Sequence, residues 1–118
     1  MERLQVKYNN KGYYTLCFPC NQFGKQEPWS NDKIYEFVYN QWPKLLELNG
    51  ILFDKICVNG DDTHPVYKYL KGIFPGKITW NFHQKWVINR DGTVIKRFDK
   101  WNTWSEIEEC IAECLKDE

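Results

Sequence analysis

Residues 18–28, Phe-Pro-Cys-Asn-Gln-Phe-Gly-Lys-Gln-Glu-Pro, set the terms on which the rest of the chain can fold. The run Tyr13 to Phe18 before them is aromatic and β-branched, which favours an extended strand, and Pro19 breaks it because proline has no N–H to give to a ladder. Beyond Pro19 lies a loop rich in side-chain amides, Asn21, Gln22 and Gln26, with Pro28 at its exit. A strand that must end here needs partners elsewhere in the chain.

Those partners are legible as local patterns. Leu4 and Tyr8 share a helical face, and Lys11-Gly12 offers a cationic last turn and a left-handed stop, so a helix is expected over 2–11. Ser30 or Asn31 caps a helix carrying Ile34, Phe37, Val38 and Gln41, which runs until Pro43. Ile51 to Val58 reads as a second strand closed by Asn59-Gly60. Thr63, with Pro65 in the first turn, starts a helix with Val66, Tyr69 and Leu70 on one side, ended by Gly72 and Pro75. Lys85 to Ile88, the Asn89–Gly92 turn and Thr93 to Phe98 predict a β-hairpin. Thr103 and Glu106 form a capping box for a last helix with Ile107, Cys110, Ile111, Cys114 and Leu115 along one stripe. This order suits an α/β layer architecture in one domain, residues 1–118.

Composition limits what such a domain binds. Sixteen basic and sixteen acidic side chains cancel, which removes a bulk electrostatic reason to expect nucleic acid as partner. No apolar run approaches the roughly 20 residues that span a bilayer, so no stable membrane insertion is expected. Five cysteines, an odd number without a secretory signal, argue against a disulfide framework and for a reducing compartment, here the cytoplasm.

The segment 18–28, taken with Trp80-Asn81-Phe82, resembles the signature of the glutathione peroxidase family. Two further pieces occur in the order that family requires: Phe53-Asp54-Lys55-Ile56-Cys57-Val58-Asn59-Gly60, and Asn89-Arg90-Asp91-Gly92 with Val94-Ile95-Lys96-Arg97-Phe98 after it. The resemblance is nearest to the monomeric, phospholipid-hydroperoxide type. It implies a thioredoxin-like fold of the glutathione peroxidase type, lacking the N-terminal strands and the peroxidatic segment, since the family's nucleophilic selenocysteine or cysteine precedes its first long helix. An N-terminally truncated chain, poorly stable alone and with little or no activity, is therefore expected.

The resemblance also implies the chemistry. Peroxide reduction needs a chalcogenide anion, and donors that hold that anion and polarise the departing oxygen. The family's glutamine, tryptophan and asparagine correspond to Gln26, Trp80 and Asn81. Amide and indole N–H groups donate hydrogen bonds without carrying a charge that titrates near neutral pH. Each donor aimed at developing charge is worth ~3 kcal/mol in a dry site. No cofactor is implied; the partners are a small-molecule hydroperoxide and glutathione or another thiol. Cysteine-dependent members carry a resolving cysteine in the helix after the Gln-Glu-Pro step. Tyr39 stands about there in this chain, which favours direct resolution by a small thiol. The short connection from Leu70 to Trp80 favours a monomer.

Other readings of the same residues stay open. Cys17 and Cys20 have C-x-x-C spacing, but a redox pair belongs at a helix start and Cys17 falls in the expected strand. Cys20 is read as a buried, inert thiol. Cys110 and Cys114 could join Cys17 and Cys20 on zinc, although they also fit the apolar stripe of the last helix. Cys57 is assigned to the core, and His64 to a surface or capping role. The alternative function is a non-catalytic, peroxidase-like module that binds a partner along an open sheet edge.

Overall fold

The computed structural model describes residues 1–25, 27–76, 78, 84–99 and 101–116. They form two compact units, Met1–Ile56 and Cys57–Glu118. Among the described residues the strands fall into two separate two-stranded sheets, one in each unit.

The first unit begins with α1, Glu2–Tyr8, which tightens into a 3-10 turn at Asn9–Lys11 and stops at Gly12 with φ 87°. This is the stop expected from Lys11-Gly12. Strand β1, Thr15–Cys17, lies parallel to β2, Gly50–Leu52, with Thr15 opposite Gly50 and Cys17 opposite Leu52. Both strands are shorter than their hydrophobic runs, although single backbone bonds, Phe53 N–H to Cys17 O at 2.9 Å and Ile56 N–H to Pro19 O at 2.8 Å, still join the two segments beyond them. Tyr13 gives its carbonyl to Gln5 Nε2 at 2.9 Å, and Lys55 gives its N–H to Asn31 Oδ1 at 2.9 Å.

A polar network fixes α1 against these strands. Gln5 has 0% of its surface exposed. Its Nε2 donates to Asn9 Oδ1 at 3.0 Å, its Oε1 accepts the Thr15 hydroxyl at 2.7 Å, and Asn9 Oδ1 also accepts the Asn49 N–H at 2.8 Å. An amide buried this way is tolerated because its polar atoms are paired. Gly50 is required where β2 passes Leu45: a Cβ there would overlap the Leu45 carbonyl oxygen and approach Leu45 Cγ at 2.8 Å.

Helix α2, Asn31–Gln41, is capped by Ser30, whose Oγ accepts the Lys33 N–H at 3.3 Å. Ile34 is buried as its spacing predicts, but Phe37 remains 57% exposed. Its ring packs edge-on against Trp42 at 6.2 Å, a residue that is itself exposed. Pro43 does more than end α2. It occupies the first turn of a short helix, α3, Pro43–Glu47, which no local pattern announces and which buries Leu45. Proline suits that position because the first N–H of a helix has no internal partner.

In the second unit, α4, Pro65–Ile73, is capped by His64, whose Nδ1 accepts the Val66 N–H at 3.2 Å. Thr63, the expected cap, instead donates its hydroxyl to Gly60 O at 2.6 Å, closing the turn before the helix. Leu70 is buried, while Val66 and Tyr69 on the same expected face are exposed. The hairpin forms as predicted: β3, Lys85–Ile88, pairs antiparallel with β4, Val94–Phe98. Asn89 N–H donates to Thr93 O at 2.8 Å, and Gly92 takes φ 87° at the turn. Helix α5, Trp104–Leu115, packs on β3 and buries Ile107 and Ile111. Thr103 Oγ1 accepts the Glu106 N–H at 3.2 Å, and the Glu106 carboxylate is held by Asn102.

Candidate functional site

The three donors expected from the sequence, Gln26, Trp80 and Asn81, lie outside the described residues. The structure does describe residues close to them on the chain. In the first unit an asparagine amide and a lysine ammonium hold that backbone, and in the second an asparagine amide and an arginine guanidinium do.

Around position 26, the loop leaves β1 at Phe18, whose ring stacks on Phe53 at 4.4 Å and 5°. Gly24 and Lys25 take φ 62° and 50°. Left-handed backbone is costly for a residue with a Cβ, so the surroundings must hold Lys25 there. Asn21 Oδ1 accepts the Glu27 N–H at 2.9 Å, and Lys55 Nζ donates to the carbonyls of Glu27 at 2.9 Å and Trp29 at 2.8 Å. Glu27 is thus fixed through both its backbone groups. Cys20 is buried, with its sulfur accepting the Gln22 N–H at 3.4 Å and donating to Gln22 Oε1 at 3.6 Å. Its burial is as expected. Cys17 lies in β1, and burial raises its thiol above the ordinary range, so the C-x-x-C spacing does not gain an activated thiolate. Tyr39 donates its hydroxyl to Glu47 Oε1 at 2.8 Å, joining α2 to α3, and this bond to a carboxylate pushes its phenol up.

Next to positions 80 and 81, the same device recurs with more bonds. The Asn59 amide grips Ile78 through both backbone groups, Nδ2 donating to Ile78 O at 2.7 Å and Oδ1 accepting Ile78 N–H at 3.0 Å. Lys71 Nζ donates to Val58 O at 2.7 Å and to Asn59 Oδ1 at 3.2 Å, which orients that amide. Burial, and then the nearby Arg97 cation, lower the Lys71 pKa. Arg97 brackets the segment from the other side. Its Nη1 donates to Phe74 O at 2.9 Å and Gly76 O at 3.0 Å, its Nε donates to Gln84 Oε1 at 2.7 Å, and its guanidinium lies 4.6 Å from the ring of Trp86. That ring is its cross-strand neighbour in the hairpin. Trp86 Nε1 is buried and finds no acceptor among the described residues.

Sequence patterns mark none of these residues for a holding role. Asn59 with Gly60 has the form of a turn, and Lys55, Lys71 and Arg97 carry no distinguishing spacing. A side chain that reaches back to the main chain many residues away leaves no local signal. Among the described residues, no group of three or more His, Cys, Asp or Glu could hold a metal ion.

Comparison with known proteins places this arrangement. Residues 1–71 match the sequence profile of a family described as Glutathione peroxidase. The chain belongs to the glutathione peroxidase family. It is 46% identical over 101 residues to a protein of Macaca fuscata fuscata named phospholipid hydroperoxide glutathione peroxidase, covering 80% of this chain and 48% of that one. A probable phospholipid hydroperoxide glutathione peroxidase of Citrus sinensis is 38% identical over 98% of this chain and 69% of its own length. A protein of Arabidopsis thaliana named probable glutathione peroxidase 3, mitochondrial, is 42% identical over 98% of this chain and 55% of its own. The chain thus spans about half to two thirds of the length of these relatives.

Two solved structures share the fold over 98% of this chain and 68% of theirs: Trgpx in apo form, TM-score 0.69 at 31% identity, and T. cruzi GPX1, TM-score 0.68 at 28%. The thioredoxin-like, glutathione peroxidase type of α/β fold expected from the sequence is therefore that of this chain. Among the described residues no helix is long and apolar enough to cross a membrane.

Proposed function

We propose that the protein to which these 118 residues belong reduces hydrogen peroxide and organic or lipid hydroperoxides at the expense of a thiol, in the response to oxidative stress. In this reading Gln26, Trp80 and Asn81 donate hydrogen bonds to the chalcogenide and to the leaving oxygen. The peroxidatic residue comes from outside the 118 positions, so this chain alone has little or no activity. The observation that carries the proposal is the paired clamp: within a glutathione peroxidase chain, Glu27 and Ile78 are each gripped through both backbone groups, close in sequence to those donors.

The co-substrate is glutathione or another small thiol, without a metal or organic cofactor. Tyr39 in α2, in place of a resolving cysteine, supports a small thiol over a protein disulfide partner. A cytoplasmic monomer folding as one domain over 1–118 completes the proposal; five free cysteines among the described residues support a reducing compartment.

The test joins the peroxidatic segment of a relative to Met1 and measures hydroperoxide consumption with glutathione. Gln26→Ala, Trp80→Phe and Asn81→Ala are each expected to lower kcat/KM roughly 10² to 10³-fold. A folded chimera with no turnover, or three variants with unchanged rates, would overturn the assignment and favour a non-catalytic binding module.

A further inference from the structure

The loop that leaves β1 is fastened at both ends to one segment of the chain. At its start the Phe18 ring stacks on Phe53 at 4.4 Å, and Pro19 O accepts the Ile56 N–H at 2.8 Å. At its exit Lys55 Nζ donates to Trp29 O at 2.8 Å, and the Lys55 N–H donates to Asn31 Oδ1 at 2.9 Å. Residues 53–56 thus hold the two ends of the loop together. Two large aromatic side chains stand exposed at that junction: Trp29 keeps 56% of its surface in solvent and Phe53 keeps 39%.

We propose that Trp29 is a specificity-determining residue: its indole, with Phe53 at the base of the same loop, receives the hydrocarbon part of an organic hydroperoxide that reacts beside Gln26. This contact rests on the peroxidase reading and narrows it, since it favours apolar hydroperoxides over hydrogen peroxide.

Chain length keeps the indole within reach of such a substrate. Trp29 follows Gln26 by three residues, a span of at most about 11 Å, and Pro28 between them has a fixed φ. The backbone is held while the ring is free: Lys55 takes the Trp29 carbonyl, and Ser30 caps α2 directly after it. A ring on a fixed backbone loses little freedom when a ligand arrives, so more of the gain from burial appears as affinity. An indole also covers hydrocarbon with its faces while its N–H stays in water. Hydrogen peroxide has no apolar surface to remove from water and gains nothing from the contact.

Binding can be read in the 118-residue chain itself. With the indole nitrogens isotopically labelled, the Trp29 N–H resonance is the one missing from the spectrum of Trp29→Phe. Cumyl alcohol, the product of cumene hydroperoxide reduction, is expected to move that resonance saturably, and glycerol to leave it in place. In the chimera that carries a relative's peroxidatic segment, the ratio of kcat/KM for cumene hydroperoxide to kcat/KM for hydrogen peroxide is the second readout. Trp29→Ala should lower it roughly tenfold, the scale of a hydrophobic contact, and Trp29→Phe should restore part of the loss. A Trp29 resonance that ignores cumyl alcohol would overturn the proposal, as would one that moves with protein concentration alone, the mark of a second copy on this face. An unchanged ratio in an active chimera overturns the contact and leaves the peroxidase assignment standing, whereas a folded chimera with no turnover overturns both.

Discussion

The two units solve the same problem, holding a loop still, with different amounts of apolar support. In Met1–Ile56 the sheet is a pair of three-residue parallel strands, and Leu16 and Ile51, opposite each other, leave 49% and 41% of their surface exposed. Leu4, Ile34 and Leu45 are buried elsewhere in the unit, and polar atoms tie α1 and the loop to the strands: Gln5 with Asn9 and Thr15, Asn9 with Asn49, then Asn21 and Lys55 around Glu27. In Cys57–Glu118 the hairpin buries Val87, Val94 and Phe98, and α5 adds Ile107 and Ile111. Hydrophobic burial is non-directional, so it tolerates small shifts, whereas a buried amide must be satisfied in one geometry. Around its sheet the first unit is thus the more sensitive to loss of a polar atom, and the hairpin of the second to loss of volume.

The largest expected effects set these two modes side by side. Phe98→Ala removes a ring that is 1% exposed and should cost about 3–5 kcal/mol. Gln5→Ala takes a donor away from the Tyr13 carbonyl and from Asn9 Oδ1, and an acceptor away from the Thr15 hydroxyl. It should cost about 3 kcal/mol, as buried groups left unsatisfied cost ~1–3 kcal/mol each. Urea unfolding gives the totals, and amide exchange read in each unit separately locates them. Equal loss of protection in both units from either substitution would break the contrast.

A smaller effect compares the clamps. Asn59→Ala removes both bonds to Ile78 and the one from Lys71, and should cost about 2 kcal/mol. Asn21→Ala removes the acceptor of the Glu27 N–H and should cost about 1 kcal/mol. Should Asn21→Ala prove the costlier, the expected order of the two clamps would be reversed. The smallest effect is at the hairpin turn, where the Thr93 backbone N–H at 2.9 Å from Asp91 Oδ1 holds that exposed carboxyl below its ordinary value. A depressed carboxylate contributes stability that is present above the unfolded value, ~3.9, and is lost as pH falls through the folded one. The Thr93 amide resonance should therefore shift only in acid, below about pH 4, and Asp91→Asn, which keeps the acceptor oxygen, should abolish the titration.

What the sequence determined by itself is whatever depends on neighbours along the chain. The hairpin with its Asn89–Gly92 turn, the Gly12 stop, the Ser30 and Thr103 caps and the buried stripe of α5 all arise from side chains acting within a few residues. Motif order was enough to place the family, because that order survives without knowledge of contacts. Only the tertiary structure decided the rest. The parallel pair β1–β2 sets Thr15 opposite Gly50, and the clamps from Lys55 to Glu27 and from Asn59 to Ile78 span 28 and 19 residues. Pro43, which has the form of a helix end, opens a helix. In each case the deciding partner is remote or belongs to the next element. A local pattern fixes which groups need satisfying, but only the folded chain fixes which groups satisfy them.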